Sequence, residues 1–365
     1  LDHRSIWADT VDSFGVAEHV RCLEMPREMK QRFLRAPFMF LRLLARNPLA
    51  AFRALNAAKY RTVAKNCKLI WFGNAFAGEA YDVVHCHFGV NGLIGAYLKD
   101  CGFARRLIVT FHGSDINSYP SRFGFDVYKT LYGRADIVTV NTAFTGGKVT
   151  ANGCDPALIR IHPVGLLPED YDGVERRVTD PHSILTVGRL VEKKGHEYFL
   201  RALPEIVAKY PDTVWHIAGS GPLAGRLKSL GEELGMRGHM EFLGECTNEA
   251  VKAQYARAAV FVLPSVTAKD GDMEGQGLVL QEAQYCRVPV VSTLHNGIPD
   301  GVRDGETGFL VPEKDSTALA AAVIRLFGDP ARAASMGEAG RRFVAGRYNV
   351  RELARELAAW YRELA

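Results

Sequence analysis

Two kinds of apolar spacing alternate along this chain. Short apolar runs, such as Ile137-Val-Thr-Val140, Ser183-Ile-Leu-Thr-Val187 and Val260-Phe-Val-Leu263, give way to stretches in which apolar residues recur every three or four positions. The first kind suits a strand buried on both faces, the second an amphipathic helix. The runs predict strands at 81–87, 107–111, 137–140 and 159–162, and then at 183–187, 214–218, 240–243, 259–263, 288–292 and 309–311. Helical periods fall between them, among others over 91–99, 125–132 and 196–209. Alternation of this kind implies parallel sheets with right-handed crossovers. A polar, charged stretch from Pro168 to Pro181 interrupts the rhythm and reads as a linker. The expected fold class is therefore α/β, with two doubly wound, Rossmann-like domains facing a cleft, residues 1–170 and 171–346. Residues 347–365 form a last helix whose stripe of Leu353, Leu357, Trp360 and Leu364 must pack on something.

Composition narrows this picture without identifying it. The chain has 365 residues, 47% of them hydrophobic, enough for two cores of ordinary domain size. Lys and Arg exceed Asp and Glu by 45 − 41 = 4, too small an excess to indicate nucleic acid as a partner. The charge is unevenly spread: residues 26–70 hold eleven Lys or Arg and one acid, Glu28, so this stretch carries +10 and the remainder −6. Phe33, Leu34, Phe38 and Leu41 lie there among Arg32, Arg35, Arg42 and Arg46, a mixture that suits an anionic membrane surface. A pair of core-packed helices with a solvated basic face would give the same composition. Seven scattered cysteines without a C-x-x-C pair read as reduced thiols of a cytoplasmic protein. No apolar run of about 18 residues marks a spanning helix, and no signal peptide opens the chain.

The candidate chemistry sits at expected strand ends, where a doubly wound sheet places its ligands. After the strand ending at Leu263, Glu274 and Glu282 stand with seven residues between them. The first falls in a turn beside Gly275 and Gly277, the second in the helix that starts near Leu278. Backbone N–H groups at that helix start can hold a phosphate, and the two carboxylates can bracket a ligand rich in hydroxyls. After the strand 183–187, Gly188, Arg189 and Lys194 offer two cations to a diphosphate, the arginine as a planar fork and the lysine as a point charge. Gly219 and Gly221 in Ala218-Gly-Ser-Gly-Pro222, and Gly244, end two further strands and permit close backbone approach. In the first half, Thr110-Phe-His112-Gly-Ser-Asp115 sets an imidazole and a carboxylate at a strand end. His85 and His87 share one strand face, with Gly89 following. Two such histidines without a third ligand do not make a metal site. Asp270-Gly-Asp272 lies in a loop beside an independent cation pair, so no metal is expected.

Taken in order, Gly188-Arg189 through Lys194, Ala218 to Pro222, Glu274 to Glu282 and Gly305-Glu-Thr-Gly-Phe-Leu-Val-Pro312 resemble the family 4 retaining glycosyltransferases of the GT-B fold. The likeness runs from about Val83 to the C-terminus, and within the family it points to transferases of bacterial exopolysaccharides and surface polysaccharides of the colanic-acid type. It implies that Arg189 and Lys194 bind the diphosphate of a nucleotide-diphosphate sugar together with N–H groups around Gly277 and Leu278. It gives Glu282 the ribose hydroxyls, Glu274 the transferred sugar and His112 a contact to that sugar, with the nucleobase near Gly244. His87 and Gly89 fall on the side of the acceptor, a saccharide or polyprenyl-linked saccharide, unless His87 only caps a helix; Asp115 either joins them, orients His112 or caps the following turn, and in the family the last helix crosses back onto the first domain. No cofactor is implied, and the enzyme would work in the cytoplasm or at the inner face of its membrane. A GT-B N-terminal domain opens with a strand and a glycine-rich turn; nothing before Tyr81 reads as such a pair, so the first strand or strands are expected to be missing here. No carboxylate stands out as a nucleophile, and the family reading is accordingly a front-face substitution with retention. A sugar-nucleotide epimerase of the same architecture and a noncatalytic sugar-nucleotide-binding subunit remain alternatives.

Overall fold

A computed structural model describes residues 19–365. They form two compact units, one from the described part of Leu1–Asp82 with Leu93–Arg105, the other from Val83–Gly92 with Arg106–Ala365.

The first unit is built on helices Met29–Arg46, Pro48–Ala54, Ala57–Lys65 and Lys68–Phe76. Asparagine side chains start two of them: Asn47 Oδ1 accepts from the Ala50 N–H and Asn56 Oδ1 from the Lys59 N–H, both at 2.9 Å. Pro48 takes the first helical position, where a missing N–H has no partner to lose. Leu43, Ala50, Tyr60, Leu69 and Trp71 are buried between these helices. Gly73 permits the approach, because a Cβ there would lie 2.6 Å from Leu43. The outward face of the first two helices is apolar all the same: Leu34 is 81%, Phe38 71% and Phe52 65% exposed, next to exposed Arg35 and Arg42. Among the described residues no helix is long and apolar enough to cross a membrane.

Strands β1 (Tyr81–His87), β2 (Ala104–Phe111), β3 (Ile137–Val140) and β4 (Ile159–Ile161) form a four-stranded sheet in that order, with β2, β3 and β4 parallel. A second sheet comprises β5 (Ser183–Val187), β6 (Val214–Ala218), β7 (Met240–Gly244), β8 (Val260–Leu263), β9 (Val290–Thr293) and β10 (Gly308–Val311). Its order is β10-β9-β8-β5-β6-β7, every pair parallel. The chain winds outward through β6 and β7, then returns to start again at β8. Winding thus reverses between β5 and β8, and a reversal of this kind opens a crevice at the C-terminal ends of the two strands. Their register, Ile184 opposite Val260 and Leu185 opposite Phe261, sets the loops that follow them side by side. Trp215 anchors the core beneath, donating from Nε1 to Thr186 Oγ1 at 2.9 Å with Phe199 edge-on at 5.0 Å.

Every expected strand is present, and two local differences have clear causes. No single helix covers 125–132: the chain makes short turns at Ser114–Asn117, Tyr119–Phe123 and Lys129–Tyr132, and Gly124 at φ 100° ends the second. Pairing in β9 begins at Val290 rather than at 288, since Pro289 has no N–H to give and Arg287 at φ 59° has just closed a helix. The last helix, Val350–Leu364, packs on residues of the four-stranded sheet. Tyr361 Oη meets His85 Nδ1 at 2.7 Å, Arg160 grips Glu363 at 2.8 and 2.9 Å, and His162 Nε2–H donates to the Leu353 carbonyl at 3.0 Å.

Candidate functional site

The loops after β5 and β8 are pressed together before either meets a ligand. Gly195, at φ 67°, follows the turn Glu192–Lys194, and a Cβ on it would lie 1.7 Å from the Pro264 carbonyl at the end of β8. The Val266 N–H donates to the Lys193 carbonyl at 2.9 Å. Both lysines then reach across: Lys193 Nζ lies 3.1 Å from Asp272 and Lys194 Nζ 2.5 Å from Glu274 Oε2. The second contact falls off the axis a hydrogen bond prefers and is foremost a charge pair. Burial pushes the Glu274 carboxyl up, but Lys194 and, less strongly, Lys193 outweigh it and leave it below its ordinary value.

These groups line a cavity of about 400 Å³ shared with His112, Gly113, Ser114 and Asn141 from the four-stranded sheet. Of the expected site residues, His112, Lys194, Glu274, Gly275, Gly277 and Leu278 come together here. Gly277, at φ 73°, is the residue before helix Leu278–Tyr285, and Gly277, Leu278 and Val279 line this space, so the start of that helix borders it. Arg189 is not in the lining; it stands exposed on the loop after β5. Glu282 is not in it either: its carboxylate accepts from Tyr255 Oη at 2.9 Å, and burial pushes it up against that bond. Asp270 and Asp272 serve their own loop, the Asp272 N–H donating to Asp270 Oδ1 at 2.9 Å while Asp272 holds Lys193. Among the described residues no group of three or more His, Cys, Asp or Glu side chains is arranged to hold a metal ion.

The remaining glycines lace loops to one another. A Cβ on Gly219 would lie 2.0 Å from the Gly188 carbonyl and one on Gly221 2.6 Å from that of Leu190, while the Gly219 N–H donates to the Gly244 carbonyl at 2.7 Å. The close backbone approach expected at these positions is thus between the loops after β5, β6 and β7. A Cβ on Gly89 would strike the Phe111 and Tyr128 rings at 2.5 and 2.7 Å.

Asp115 lines neither this cavity nor its neighbour. It is 6% exposed, and its carboxylate is taken up by three backbone N–H groups, Gly89 at 2.8 Å and His112 and Gly113 at 3.0 Å. It ties the turns after β1 and β2 together and so fixes the backbone under His112. His87 Nδ1 lies 3.0 Å from His112 Nε2, and the His85, His87 and His112 rings stack in series. Burial holds all three below the ordinary imidazole value, with His85 down to about 4. His85, His87 and His162 face a neighbouring, largely apolar cavity of about 330 Å³ closed by Leu353 and Leu357 of the last helix.

Several residues at the site carry no sequence signal. Gln276, 4% exposed, accepts from the Val164 N–H at 2.9 Å and donates to the Val164 carbonyl at 2.8 Å, joining the loop after β8 to the segment after β4. Asn141 lines both cavities. Lys193 was readable only as the neighbour of Lys194.

With this geometry in place, the likenesses to known proteins are consistent. A family description for a glycosyl transferase 4-like domain matches residues 8–165 and one for glycosyl transferases group 1 matches residues 169–343. A putative colanic acid biosynthesis glycosyltransferase of Salmonella typhimurium is 35% identical over 74% of this chain and 68% of its own length. A GDP-mannose-dependent alpha-(1-6)-phosphatidylinositol monomannoside mannosyltransferase of Mycolicibacterium smegmatis is 33% identical over 73% of this chain and 72% of its own. Among solved structures, Anabaena HepE in complex with UDP superposes with a TM-score of 0.70 at 17% identity, covering 83% of this chain and 84% of that one. The two parallel-sheet α/β domains have the GT-B arrangement.

Proposed function

Since the chain belongs to the glycosyl transferases group 1, with relatives in polysaccharide biosynthesis, we propose that it moves a hexose from a nucleotide-diphosphate sugar, with retention, onto a saccharide acceptor carried on a lipid. One observation carries the reading: Lys194, Glu274 and the start of helix Leu278–Tyr285 share one cavity at the point where strand winding reverses. A diphosphate fits Lys193, Lys194 and the free N–H groups at Gly277, and exposed Arg189 closes on it from the same loop. Glu274 then exchanges Lys194 for sugar hydroxyls, and Glu282 with Tyr255 serves the ribose. His112, held neutral by burial, suits a hydrogen bond to the sugar. The complex of HepE with UDP supports a nucleotide in such a fold.

In this reading neither carboxylate of the cavity is left to attack carbon, Glu274 being given to the sugar hydroxyls and Asp272 to Lys193, which supports a front-face path. In that path the acceptor hydroxyl enters on the side the diphosphate leaves and gives its proton to the departing phosphate. The chain supplies position and stabilises the leaving charge, and two lysines make a metal unnecessary. The exposed apolar and basic face of helices Met29–Arg46 and Pro48–Ala54 supports docking on an anionic membrane, where a lipid-linked acceptor would be met. A relative acting on a phosphatidylinositol mannoside fits that acceptor class.

Turnover of a nucleotide-sugar panel by Arg189→Ala, Lys194→Ala and Glu274→Ala is the direct test. Each substitution should lower the rate about a hundredfold, the effect of one preorganised charge worth roughly 3 kcal/mol. Near-full rates in all three would overturn the assignment, and loss of activity in chelator restored by magnesium would overturn the metal-free reading.

A further inference from the structure

Glu274 sits in the stretch between β8 and helix Leu278–Tyr285, where no regular ladder fixes the backbone. Its peptide groups are fixed instead by the turn after β9. There Asn296 takes φ 50°, and consecutive side chains reach the two sides of one residue. The Glu274 N–H donates to His295 Nε2 at 3.0 Å, and the Glu274 carbonyl accepts from Asn296 Nδ2 at 2.5 Å. His295 is 1% exposed. Because its Nε2 accepts, its proton sits on Nδ1, which donates to Glu313 Oε1 at 2.5 Å. Glu313 follows β10, and its other oxygen accepts from the Thr267 N–H at 2.9 Å, back in the loop that leads to Glu274. The circuit thus joins the loops after β8, β9 and β10. None of His295, Asn296 and Glu313 lines the cavity, whereas Glu274 does.

We propose that His295, Asn296 and Glu313 are positioning residues for Glu274, setting how its carboxylate meets the sugar of the donor without touching that sugar. The inference rests on the reading of Glu274 as the sugar-facing group. A side chain reaches its ligand from a fixed backbone, and loss of the supporting bonds loosens it even where the ligand contacts are unchanged. The diphosphate is held by other groups, Lys193, Lys194 and the N–H groups at Gly277. A failed clamp therefore weakens recognition of the sugar and leaves recognition of the diphosphate alone.

Affinities of the full chain for UDP, UDP-glucose, GDP and GDP-mannose test this. In His295→Ala the ratio of sugar-bearing to sugar-free affinity should shift tenfold or more against the sugar-bearing nucleotide, with diphosphate affinity within twofold of wild type. His295→Gln, whose amide oxygen can still accept from the Glu274 N–H, should recover most of the ratio. Glu313→Gln, which keeps an acceptor for Nδ1–H and does not empty the core, should sit between them. In a Glu274→Ala background, His295→Ala should change the ratio no further. Equal loss for all four nucleotides, or an undiminished shift in that background, would show a merely structural role and overturn the inference. If Glu274→Ala itself leaves the ratio unchanged, or wild type binds none of the four, the donor-site reading falls and takes this inference with it. If Glu274→Ala shifts the ratio and the His295 and Glu313 variants do not, only the clamp is wrong.

Discussion

The end of the six-stranded sheet brings charge to the cavity, Lys193 with Asp272 and Lys194 with Glu274, whereas the end of the four-stranded sheet brings Ser114, Asn141 and His112. On the charged side each group is half-hidden and needs its opposite, because an unpaired charge taken out of water is expensive. On the other side burial keeps the imidazoles neutral, and their hydrogen bonds run through one another, His87 to His112 and His85 to Thr110 to Thr139. The diphosphate proposed above calls for the first chemistry, and the sugar, proposed to meet both Glu274 and His112, draws on each. The cleft is thus divided by charge rather than by shape.

Substitutions can break that division. The largest effect should come from Lys194→Ala, about a hundredfold in turnover, against roughly tenfold for His112→Ala, which removes one neutral hydrogen bond. Rates that fall equally, or in the reverse order, would mean that the two edges do not share the work as described. Next comes the framework of the neutral edge: Asp115→Ala leaves three backbone N–H groups without their acceptor and should lower stability by about 2–3 kcal/mol in denaturant melts. A loss below 0.5 kcal/mol, on the order of an ordinary surface change, would deny it that role.

The charged edge offers a sharper comparison. Lys194→Ala leaves Glu274 buried without its counter-charge, so the double variant Lys194→Ala with Glu274→Ala should be more stable than the single one by about 1–2 kcal/mol. Additive losses would show that the pair is screened. The smallest effect concerns pH. His85 takes its proton in the fold only near pH 4, and in the unfolded chain near its ordinary value of 6.5, because burial and then the neighbouring His87 lower it. Between those values the unfolded chain binds more protons, so stability is full above about pH 6.5 and falls as pH drops through the window. Replacing His85 by Gln should flatten this slope between pH 7 and 5 by on the order of 1 kcal/mol; an unchanged slope would exclude it as a cause.

The sheets were legible because buried parallel strands are written as apolar runs, and Val260–Leu263 or Ser183–Val187 can hardly be read otherwise. The pairing of Lys194 with Glu274 was half legible: the motif gave both residues to one ligand, but not to each other. At Asp115 a carboxylate next to a histidine reads as chemistry, while the partners it holds are N–H groups of three other residues, which leave no mark in a sequence. The partners of Gln276 and His295 were hidden for a related reason. Their contacts, to Val164 and to the Glu274 backbone, depend on loops far apart in the chain, and no period or spacing records which main-chain group a side chain will meet. Of the helix expected over 125–132 only the turn Lys129–Tyr132 forms, in a stretch whose apolar spacing still resembles a helix.

The bond pair between Gln276 and Val164 has a mechanical consequence. One amide supplies both the acceptor and the donor, so the segment after β4 and the loop after β8 are held at two points by a single side chain. Separating them fully gives up both bonds and leaves four polar groups for water to satisfy. Such a joint works as a latch that resists the first small displacement of the segment after β4 from the loop after β8.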